Sequence, residues 1–260
     1  RQIYYMRLIF SVFAFICTSL ISCSNSYQQS QNLEIPINTI ERAENIYYRL
    51  GYTVSFNPEL NIPNWVAWEL NSSKLVEKES RAGHFYPDPD IPRGIAVETG
   101  DYSNSGYDRG HMCPAADNKW DKQAMRESFY MTNICPQHHN LNRGDWKELE
   151  DDCRRWVEES GTIYIACGPI LYKNDISYIG EERKIRVPNA FFKVILAGLD
   201  EGKPRAIGFI YKNASGNNPL DHYVNSVDQV ERITGLDFFS QLPDDVENEI
   251  ESNYNLNQWR

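Results

Sequence analysis

Two polar segments in the middle of the chain most constrain what it can fold into. The first is Asp108–His111, in which an acid, a guanidinium and an imidazole surround a glycine that lets the backbone turn. The second, Leu141–Glu150, runs into a helical pattern. Hydrolysis of a phosphodiester needs a base for water, a cation for the leaving oxygen and fixed positive charge for the phosphorane. The two segments contain groups of these kinds, which indicates a phosphoryl-transfer site.

The overall charge argues against a broad nucleic-acid-binding face. The 260 residues carry 26 Lys and Arg against 36 Asp and Glu, a formal net charge of −10. Non-specific nucleic-acid binders usually present a basic surface. Hydrophobic content of 41%, with 16 tyrosines and 6 tryptophans, indicates an ordered globular protein. The charge therefore predicts local phosphate binding by a few arginines at one site of an acidic protein.

The first 23 residues have the features of an export signal. Arg7 precedes an apolar run, Leu8–Ile21, which has the length of a signal-peptide core and is short for a membrane span. The run leads to Cys23 in a pattern similar to a bacterial lipobox, in which the cysteine is lipidated. The alternative is an ordinary signal peptide with an incidental cysteine. We expect a protein exported and anchored through lipid on Cys23 to a bacterial membrane, on its periplasmic or surface face, and otherwise a secreted one.

Apolar periodicity predicts one mixed domain over residues 46–260, joined to the signal by a flexible tether over residues 24–45. A helix is predicted from Asp145 to Glu159, ended by Gly161, and a second one between a Ser226 capping box and Gly235. Strands are predicted at residues 46–56, 65–70, 128–134, 162–167, 191–196 and 205–211.

Four cysteines remain once the leader is removed and Cys23 is lipidated. In an exported protein this even number permits two disulfides, with three possible pairings among Cys113, Cys135, Cys153 and Cys167. Cys113 and Cys135 both precede proline beside the polar segments, so we expect them to lie near each other. An alternative combines these two with His138 and His139 in a zinc site, although no Cys-x-x-Cys pair supports it.

A helix beginning near Asn142 would place Asn142, Trp146 and Glu150 on one narrow arc, because they are spaced four residues apart. A ligand carboxamide, an aromatic wall for substrate and a carboxylate would then face the same way. With His111 packed against them, the set predicts a Mg²⁺ site, since a hard ion accepts oxygen ligands and keeps several waters. Each residue also has a structural interpretation: His111 as a buried structural histidine, Asn142 as a helix N-cap and Glu150 as a solvated helix residue.

The order of these motifs resembles that of the DNA/RNA non-specific endonuclease family, whose members carry a ββα-metal site. The matching segments are Asp108–His111, Asn133–Gln137 and Leu141–Glu150. Blocks at residues 168–172, 187–194 and 227–236 are also similar, so the resemblance covers roughly residues 46–250. It implies an α+β fold with a mixed, mostly antiparallel central sheet, flanking helices and a ββα-metal active site.

The resemblance also implies a role for each matching residue. His111 would be the general base, Asn142 the direct protein ligand of Mg²⁺ or Mn²⁺, and Glu150 the residue that holds a metal-bound water. The remaining matches would act on phosphate or position the site: Arg109 and Arg81 would bind and stabilise the phosphate, Asn133 would help position the site, and Asp108 would orient the motif.

The function that the resemblance implies is a sugar-non-specific endonuclease. Such an enzyme hydrolyses DNA and RNA, contacts them mainly through phosphates, and leaves 5′-phosphate ends because the metal stabilises the leaving 3′ oxygen. The alternative is a surface lipoprotein that binds nucleic acid or another polyanion and has lost catalysis. The presence of His111, Asn142 and Glu150 favours the enzyme.

Overall fold

Apolar strands build the centre of the molecule. The computed structural model describes residues 32–259, with strands β1 (Ile37–Asn38), β2 (Asn45–Tyr48), β3 (Thr53–Asn57), β4 (Ile62–Leu70), β5 (Asp108–His111), β6 (Ile134–Gln137), β7 (Ile163–Ile170), β8 (Tyr178–Ile179), β9 (Ile185–Arg186), β10 (Ala190–Ala197), β11 (Arg205–Lys212), β12 (Val224–Asn225) and β13 (Leu236–Asp237). Seven of them form one sheet in the order β12-β11-β10-β7-β4-β3-β2, in which every neighbouring pair is antiparallel.

Five α-helices accompany the strands in the described residues. They are α1 (Lys122–Ser128), α2 (His139–Arg143), α3 (Asp145–Ser160), α4 (Val227–Thr234) and α5 (Asp244–Ser252). Short 3₁₀ turns lie at Ser72–Lys74, Thr99–Tyr102, Ala115–Asn118, Met131–Asn133, Leu220–His222 and Leu256–Trp259. The predicted α+β class with a mostly antiparallel sheet is confirmed.

Side chains that alternate along the strands bury both faces of the sheet. On β10, Phe191 and Ile195 belong to a hydrophobic cluster on one face, whereas Phe192 and Val194 belong to a cluster on the other. The first cluster contains the inward residues of α3 and of the β5–β6 region, and the second contains those of α4 and α5. The Asp108–His111 segment and α3 therefore lie on one side of the sheet, and α4 and α5 lie on the opposite side.

Local capping chemistry explains why the two helices predicted from sequence are found. Helix α3 ends at Gly161, whose φ of 74° favours a residue without a side chain. Before α4, the Ser226 hydroxyl accepts a hydrogen bond of 3.2 Å from the Gln229 amide, and Gly235 ends the helix in the left-handed conformation. The predicted strands at residues 65–70, 191–196 and 205–211 fall within β4, β10 and β11, and the one at 162–167 begins one residue before β7.

Two predicted strands were wrong. Residues 46–56 form parts of β2 and β3, a hairpin rather than one strand, because Gly51 and its neighbours turn the chain. Residues 128–134 contain the end of α1 and the 3₁₀ turn Met131–Asn133, and only Ile134 lies in a strand. The apolar residues there are buried because a turn packs into the core. An apolar run of this length does not distinguish a short strand from an irregular buried segment.

The predicted tether over residues 24–45 was also wrong for the part that is described. Leu33 is 4% exposed in the cluster under α4, and β1 pairs with β13 in an antiparallel register. The buried side chain of Leu33 and the pairing of β1 with β13 fix this segment, although its composition is polar. The predicted signal peptide at residues 1–23, including Cys23, lies outside the described residues. None of the helices between residues 32 and 259 has both the length and the hydrophobicity of a membrane span.

Candidate active site

The two polar segments come together as a hairpin followed by a helix. Strand β5 pairs with β6, so that Asp108 faces Gln137 and His111 faces Ile134. Gly110 permits the close approach, because a Cβ there would lie 2.2 Å from Oε1 of Gln137. Helices α2 and α3 follow β6 directly, which completes a ββα unit on one face of the central sheet.

The helix after the hairpin is broken, and the break changes one prediction. Helix α2 ends at Arg143 and α3 begins at Asp145, while a Cβ on Gly144 would lie 2.6 Å from the carbonyl oxygen of Asn140. Asn142 and Glu150 therefore belong to different helices, and the arc of a single helix does not apply. Asn142 lies in the last turn of α2 and is not an N-cap.

Trp146 is not part of the site, contrary to the prediction that it forms an aromatic wall for substrate. Its side chain is 1% exposed and packs against Phe191 and Tyr211, with ring centroids 5.6 Å and 5.8 Å away. Trp146 belongs to the face of α3 that packs on the sheet, together with Leu149 and Cys153. A large apolar ring at that position fills the core between α3 and β10.

A cleft of about 530 Å³ collects the remaining predicted residues, apart from Asn133. His111, Asn142 and Glu150 line it together. It is also lined by two carboxylates, Asp108 and Glu150, and by five cationic side chains, Arg81, Arg109, Arg143, Lys147 and Arg154. The excess of cations makes the cleft locally positive in a protein whose formal net charge is −10. The cleft therefore has the local positive charge that the sequence analysis predicted for a phosphate-binding site.

Aromatic rings flank His111 on both sides. Its ring centroid lies 5.3 Å from that of Phe85 and 4.8 Å from that of Phe129, the latter in an edge-on arrangement. His111 is 7% exposed, and its Nε2 has no hydrogen-bond partner within residues 32–259. Burial lowers the pKa of His111 to about 3, and the positive charge of Arg81 acts in the same direction. The imidazole is therefore neutral at pH 7 and able to accept a proton.

We expect His111 to remain neutral at pH 5 and a Phe85→Ala change to raise its pKa. Removing the Phe85 ring admits water, which stabilises the imidazolium. Because the pKa of His111 is lowered from an unfolded value of about 6.5, its neutral form stabilises the fold above that pH. This contribution is lost as the pH falls from about 6.5 toward the folded value of about 3. Imidazole ¹⁵N shifts recorded against pH measure this, and titration of native His111 near 6.5 would contradict it.

The guanidiniums of Arg81 and Arg109 lie near the two aromatic rings that flank His111. The guanidinium of Arg109 lies 5.2 Å from the centroid of Phe85, and that of Arg81 lies 5.3 Å from that of Phe129. Each guanidinium therefore lies close to one of the two rings that flank His111. Stacking on rings limits the freedom of the guanidiniums at the cleft wall, where they are available to an anion.

Asp108 holds Asn142 in place. Its carboxylate accepts hydrogen bonds from Nδ2 of Asn142 at 2.9 Å and from Nε of Arg143 at 3.1 Å, and lies 3.3 Å from Nδ1 of His139. Although burial opposes it, these hydrogen bonds hold the pKa of Asp108 below its ordinary value. An ionised Asp108 fixes the carboxamide by its nitrogen, which leaves Oδ1 of Asn142 as the atom able to bind a cation.

Lys193, a buried lysine that was not among the predicted site residues, acts electrostatically on Glu150. Burial raises the pKa of Glu150 to about 7, against the opposing effect of Lys193. Lys193 is fully buried in the middle of β10, with Nζ 4.5 Å from the centroid of Trp146 and 5.3 Å from that of Trp68. A charged residue in the otherwise apolar run of β10 was the available sequence signal, since buried lysines need a partner.

Arg154 is a second cleft residue that sequence reasoning missed. It lies one helical turn after Glu150 and forms an ion pair of 2.8 Å with Asp117, which is 3% exposed. Asp117 also accepts a hydrogen bond of 3.1 Å from Nε1 of Trp68. A buried, fully partnered carboxylate thus fixes the guanidinium beside Glu150. The i, i+4 spacing of Glu150 and Arg154 on one helix was the signal for it.

Asn133 acts on the backbone and does not line the cleft. Its Oδ1 accepts from the amide of Cys113 at 2.9 Å, while its Nδ2 donates to the carbonyls of Cys113 and Ser128, each at 2.8 Å. It is completely buried. Asn133 therefore fixes the backbone just after His111. It was predicted as one of the catalytic residues, and the structure shows it as a residue that positions the site.

Within residues 32–259, neither the alternative zinc site nor the disulfides that the cysteine count permits are found. His138 caps α2, with Nδ1 accepting from the Asn140 amide at 3.2 Å, and His139 faces Asp108. The four cysteines Cys113, Cys135, Cys153 and Cys167 are buried free thiols in one hydrophobic cluster. Apolar surroundings raise the pKa of each thiol, which disfavours the thiolate that metal binding needs.

The donor atoms of the cleft fit a hard divalent cation. The carboxamide oxygen of Asn142 is left free by the hydrogen bond to Asp108, and Glu150 adds a carboxylate to the same cleft. Oxygen ligands of this kind suit Mg²⁺ or Mn²⁺ better than zinc, which favours nitrogen and sulfur. The residues present therefore fit the predicted cofactor class.

Comparison with known proteins points to one family. A family model described as DNA/RNA non-specific endonuclease matches residues 29–245. The mitochondrial Nuclease 1 of Schizosaccharomyces pombe is 36% identical over 210 residues, 74% of this chain and 65% of that protein. The mitochondrial Nuclease EXOG of Danio rerio is 36% identical over 214 residues, which are 77% of this chain and 62% of that protein. The chain thus spans a little under two thirds of these two relatives.

A bacterial relative and a solved structure agree with this family. A protein named Nuclease from a Nostoc species is 36% identical over 211 residues, 77% of this chain and 75% of that protein. A chain in a crystal structure titled as the EndoG/EndoGI complex superposes with a TM-score of 0.72 at 25% identity. The match covers 80% of this chain and 90% of the solved one.

Proposed function

Because the chain belongs to the DNA/RNA non-specific endonuclease family, we propose that it is a sugar-non-specific endonuclease. It hydrolyses phosphodiester bonds of DNA and RNA to 5′-phosphate ends, with a divalent metal and with His111 as general base. The single observation that carries this is the convergence of His111, Asn142 and Glu150 in one locally positive cleft.

The proton is taken by His111. A base must be neutral before it acts, and the low pKa of this imidazole supplies the neutral form throughout the physiological range. Phe85 and Phe129 hold the ring from both sides, so a water molecule in the cleft meets an acceptor of fixed direction. Asn133 supports this by fixing the backbone that follows His111.

The phosphate is held by guanidiniums. Arg109 and Arg81 lie on rings at the cleft wall, from which they stabilise the charge that grows on the phosphorane oxygens. Arg154, fixed by its ion pair with Asp117, adds a third positive group beside Glu150. Since these contacts address phosphate and not base edges, they support cutting without regard to sequence or sugar.

Asn142 and Glu150 would hold the metal, the first through Oδ1 and the second through water. When bound, such a cation supplies Lewis-acid stabilisation of the leaving 3′ oxygen. Asp108 keeps the carboxamide of Asn142 turned toward the cleft, and Lys193 favours the ionised form of Glu150. The first effect orients one oxygen donor before substrate binds, and the second partly offsets the burial that raises the pKa of Glu150 to about 7.

Cleavage assays with the full chain test the proposal. We expect supercoiled plasmid and RNA to be cut in Mg²⁺ or Mn²⁺ and neither to be cut in EDTA. Asn142→Ala should lose most of this activity, whereas Asn140→Ala, an exposed change on the same helix, should keep it. Native protein that binds nucleic acid yet cuts it in no divalent metal would instead support an inactive, polyanion-binding lipoprotein.

We also propose export with a lipid anchor on Cys23. This rests on the sequence pattern of residues 7–23 alone. Incorporation of labelled palmitate by the full chain in bacteria, lost in Cys23→Ser, is the expected result. Unlabelled, fully soluble native protein would count against the anchor.

A further inference from the structure

Three carboxylates meet on the side of the sheet opposite the cleft. Asp228 and Glu231 lie one turn apart on α4, and Glu251 lies in the last turn of α5. One oxygen of each lies within 4.8 Å of an oxygen of the other two. The two helices pack on the face of β10 and β11 that does not carry His111. This group is therefore separate from the proposed nuclease site.

No cation balances these carboxylates among residues 32–259. None of the three forms an ion pair, and their acidic neighbours Asp237 and Glu247 form none either. Burial together with this mutual repulsion raises the pKa of Glu231 to about 7 and that of Glu251 to about 9. The arrangement is costly for ionised side chains unless something positive lies between them.

Glu251 gives the independent sign of a missing ligand. The residue is 4% exposed, and its Oε1 is buried without any hydrogen-bond partner in the described chain. Asp117, another buried acid, has both Arg154 and Trp68 as partners. Buried carboxylates are normally partnered, because desolvation of an unpaired charge is expensive. Glu251 stands in this protein as a buried acceptor aimed at two further carboxylates.

The backbone already orients one of the other groups. Oε1 of Glu231 accepts a hydrogen bond of 2.8 Å from the amide of Phe238. This bond fixes the carboxylate while leaving its second oxygen free. Asp228 and Glu231 are only partly buried, so a solvated ion can reach them.

We propose that Asp228, Glu231 and Glu251 bind a structural divalent cation of the Ca²⁺ class, which ties α4 to α5. Ca²⁺ takes six to eight oxygen ligands in flexible geometry, so three carboxylates with water satisfy it. Mg²⁺ requires a stricter octahedron and keeps its water, and zinc favours nitrogen and sulfur ligands. The cation replaces the repulsion between the helices with attraction and fixes the C-terminal part of the fold.

Calcium binding by the EDTA-treated full chain tests this. Equilibrium dialysis with ⁴⁵Ca²⁺ at pH 8, and thermal unfolding with and without Ca²⁺, are measured on an Asn142→Ala background, which removes the proposed cleft ligand. We expect one bound Ca²⁺ per chain and a Tm that rises by about 5–10 °C at a Ca²⁺ concentration near a hundred times Kd.

Two matched variants of α5 separate this site from general charge effects. Glu251→Gln should abolish both the bound Ca²⁺ and the Ca²⁺-dependent rise in Tm. It should also raise the Tm in EDTA, because glutamine is neutral without the proton that Glu251, with a pKa of about 9, must take up on folding at pH 8. Glu249→Gln makes the same change at an exposed position of the same helix, and it should keep the Ca²⁺ response. If Glu251→Gln fails to fold, Glu231→Gln is assayed in the same way.

Two results would overturn the proposal. One is an equilibrium dialysis in which the folded Glu251→Gln protein binds as much Ca²⁺ as the protein with Glu251. The other is a Tm in EDTA that rises on acidification from pH 9 to pH 6 while Ca²⁺ has no effect at any pH. The latter outcome would mean that the carboxylates share protons instead of a cation. Neither result depends on whether the cleft cuts nucleic acid.

Discussion

His111→Ala is expected to lower the rate of phosphodiester cleavage by about 10²- to 10⁴-fold, which is the usual contribution of a positioned general base. Phe85 and Phe129 form the slot around the ring, so the change empties a preformed position and leaves Arg81 and Arg109 on their rings. Affinity for nucleic acid should therefore stay within a few-fold of native. Single-turnover cleavage of a labelled oligonucleotide, beside its binding measured in EDTA, separates the two effects.

A matched histidine change controls for general damage. His222 is exposed and does not line the cleft, so His222→Ala should cleave at the native rate. If His111→Ala cleaved as fast as native protein, the assignment of the base would be wrong. If it lost binding and cleavage together, His111 would be a structural residue of the cleft.

Trp146→Ala is expected to lower the free energy of unfolding by about 3–5 kcal/mol, the usual cost of deleting a large buried ring. The ring contacts Phe191 and Tyr211 and covers the buried ammonium of Lys193, so its loss also admits water beside a charge. Urea unfolding followed by circular dichroism measures the loss. A decrease smaller than about 1 kcal/mol would contradict the core position.

Trp146→Phe separates packing from substrate binding. It keeps an aromatic ring in the core, so we expect a smaller loss of stability and cleavage close to native. The residue is 1% exposed, so it offers no face on which a base could stack. If a folded Trp146→Phe protein bound nucleic acid much more weakly than native protein, the prediction that Trp146 contacts substrate would be supported instead.

Local chemistry made much of this molecule predictable. Long apolar strands such as β10, the N-cap at Ser226 and the helix-ending glycines Gly161 and Gly235 each follow from the residues nearby. The motif Asp108–His111 was predictable as a functional segment because it gathers ionisable groups around a glycine. These features depend on interactions within a few residues, which periodicity and capping rules describe well.

Features that depend on contacts across the fold were not predictable. Helical spacing alone does not say which face of α3 packs on the sheet, and contacts with Phe191 and Tyr211 place Trp146 in the core. Phe85 reaches His111 from a loop more than twenty residues away, so no spacing rule connects them. The formal charge of −10 led to the prediction of one local cluster of arginines, but it did not indicate that Arg143, Lys147 and Arg154 belong to it, because net charge contains no information on where charges lie.

The chemical ends of the cleavage products distinguish hydrolysis by water from attack by a ribose hydroxyl. Attack by a water molecule deprotonated by His111, with the 3′ oxygen leaving, predicts 5′-phosphate and 3′-hydroxyl ends on both DNA and RNA. RNA is the more informative substrate, because its 2′-hydroxyl offers a competing nucleophile. Metal-dependent products that carry 5′-phosphates on both substrates are the expected result. Cyclic 2′,3′-phosphates with 5′-hydroxyls on RNA, or no cleavage of DNA, would contradict the account.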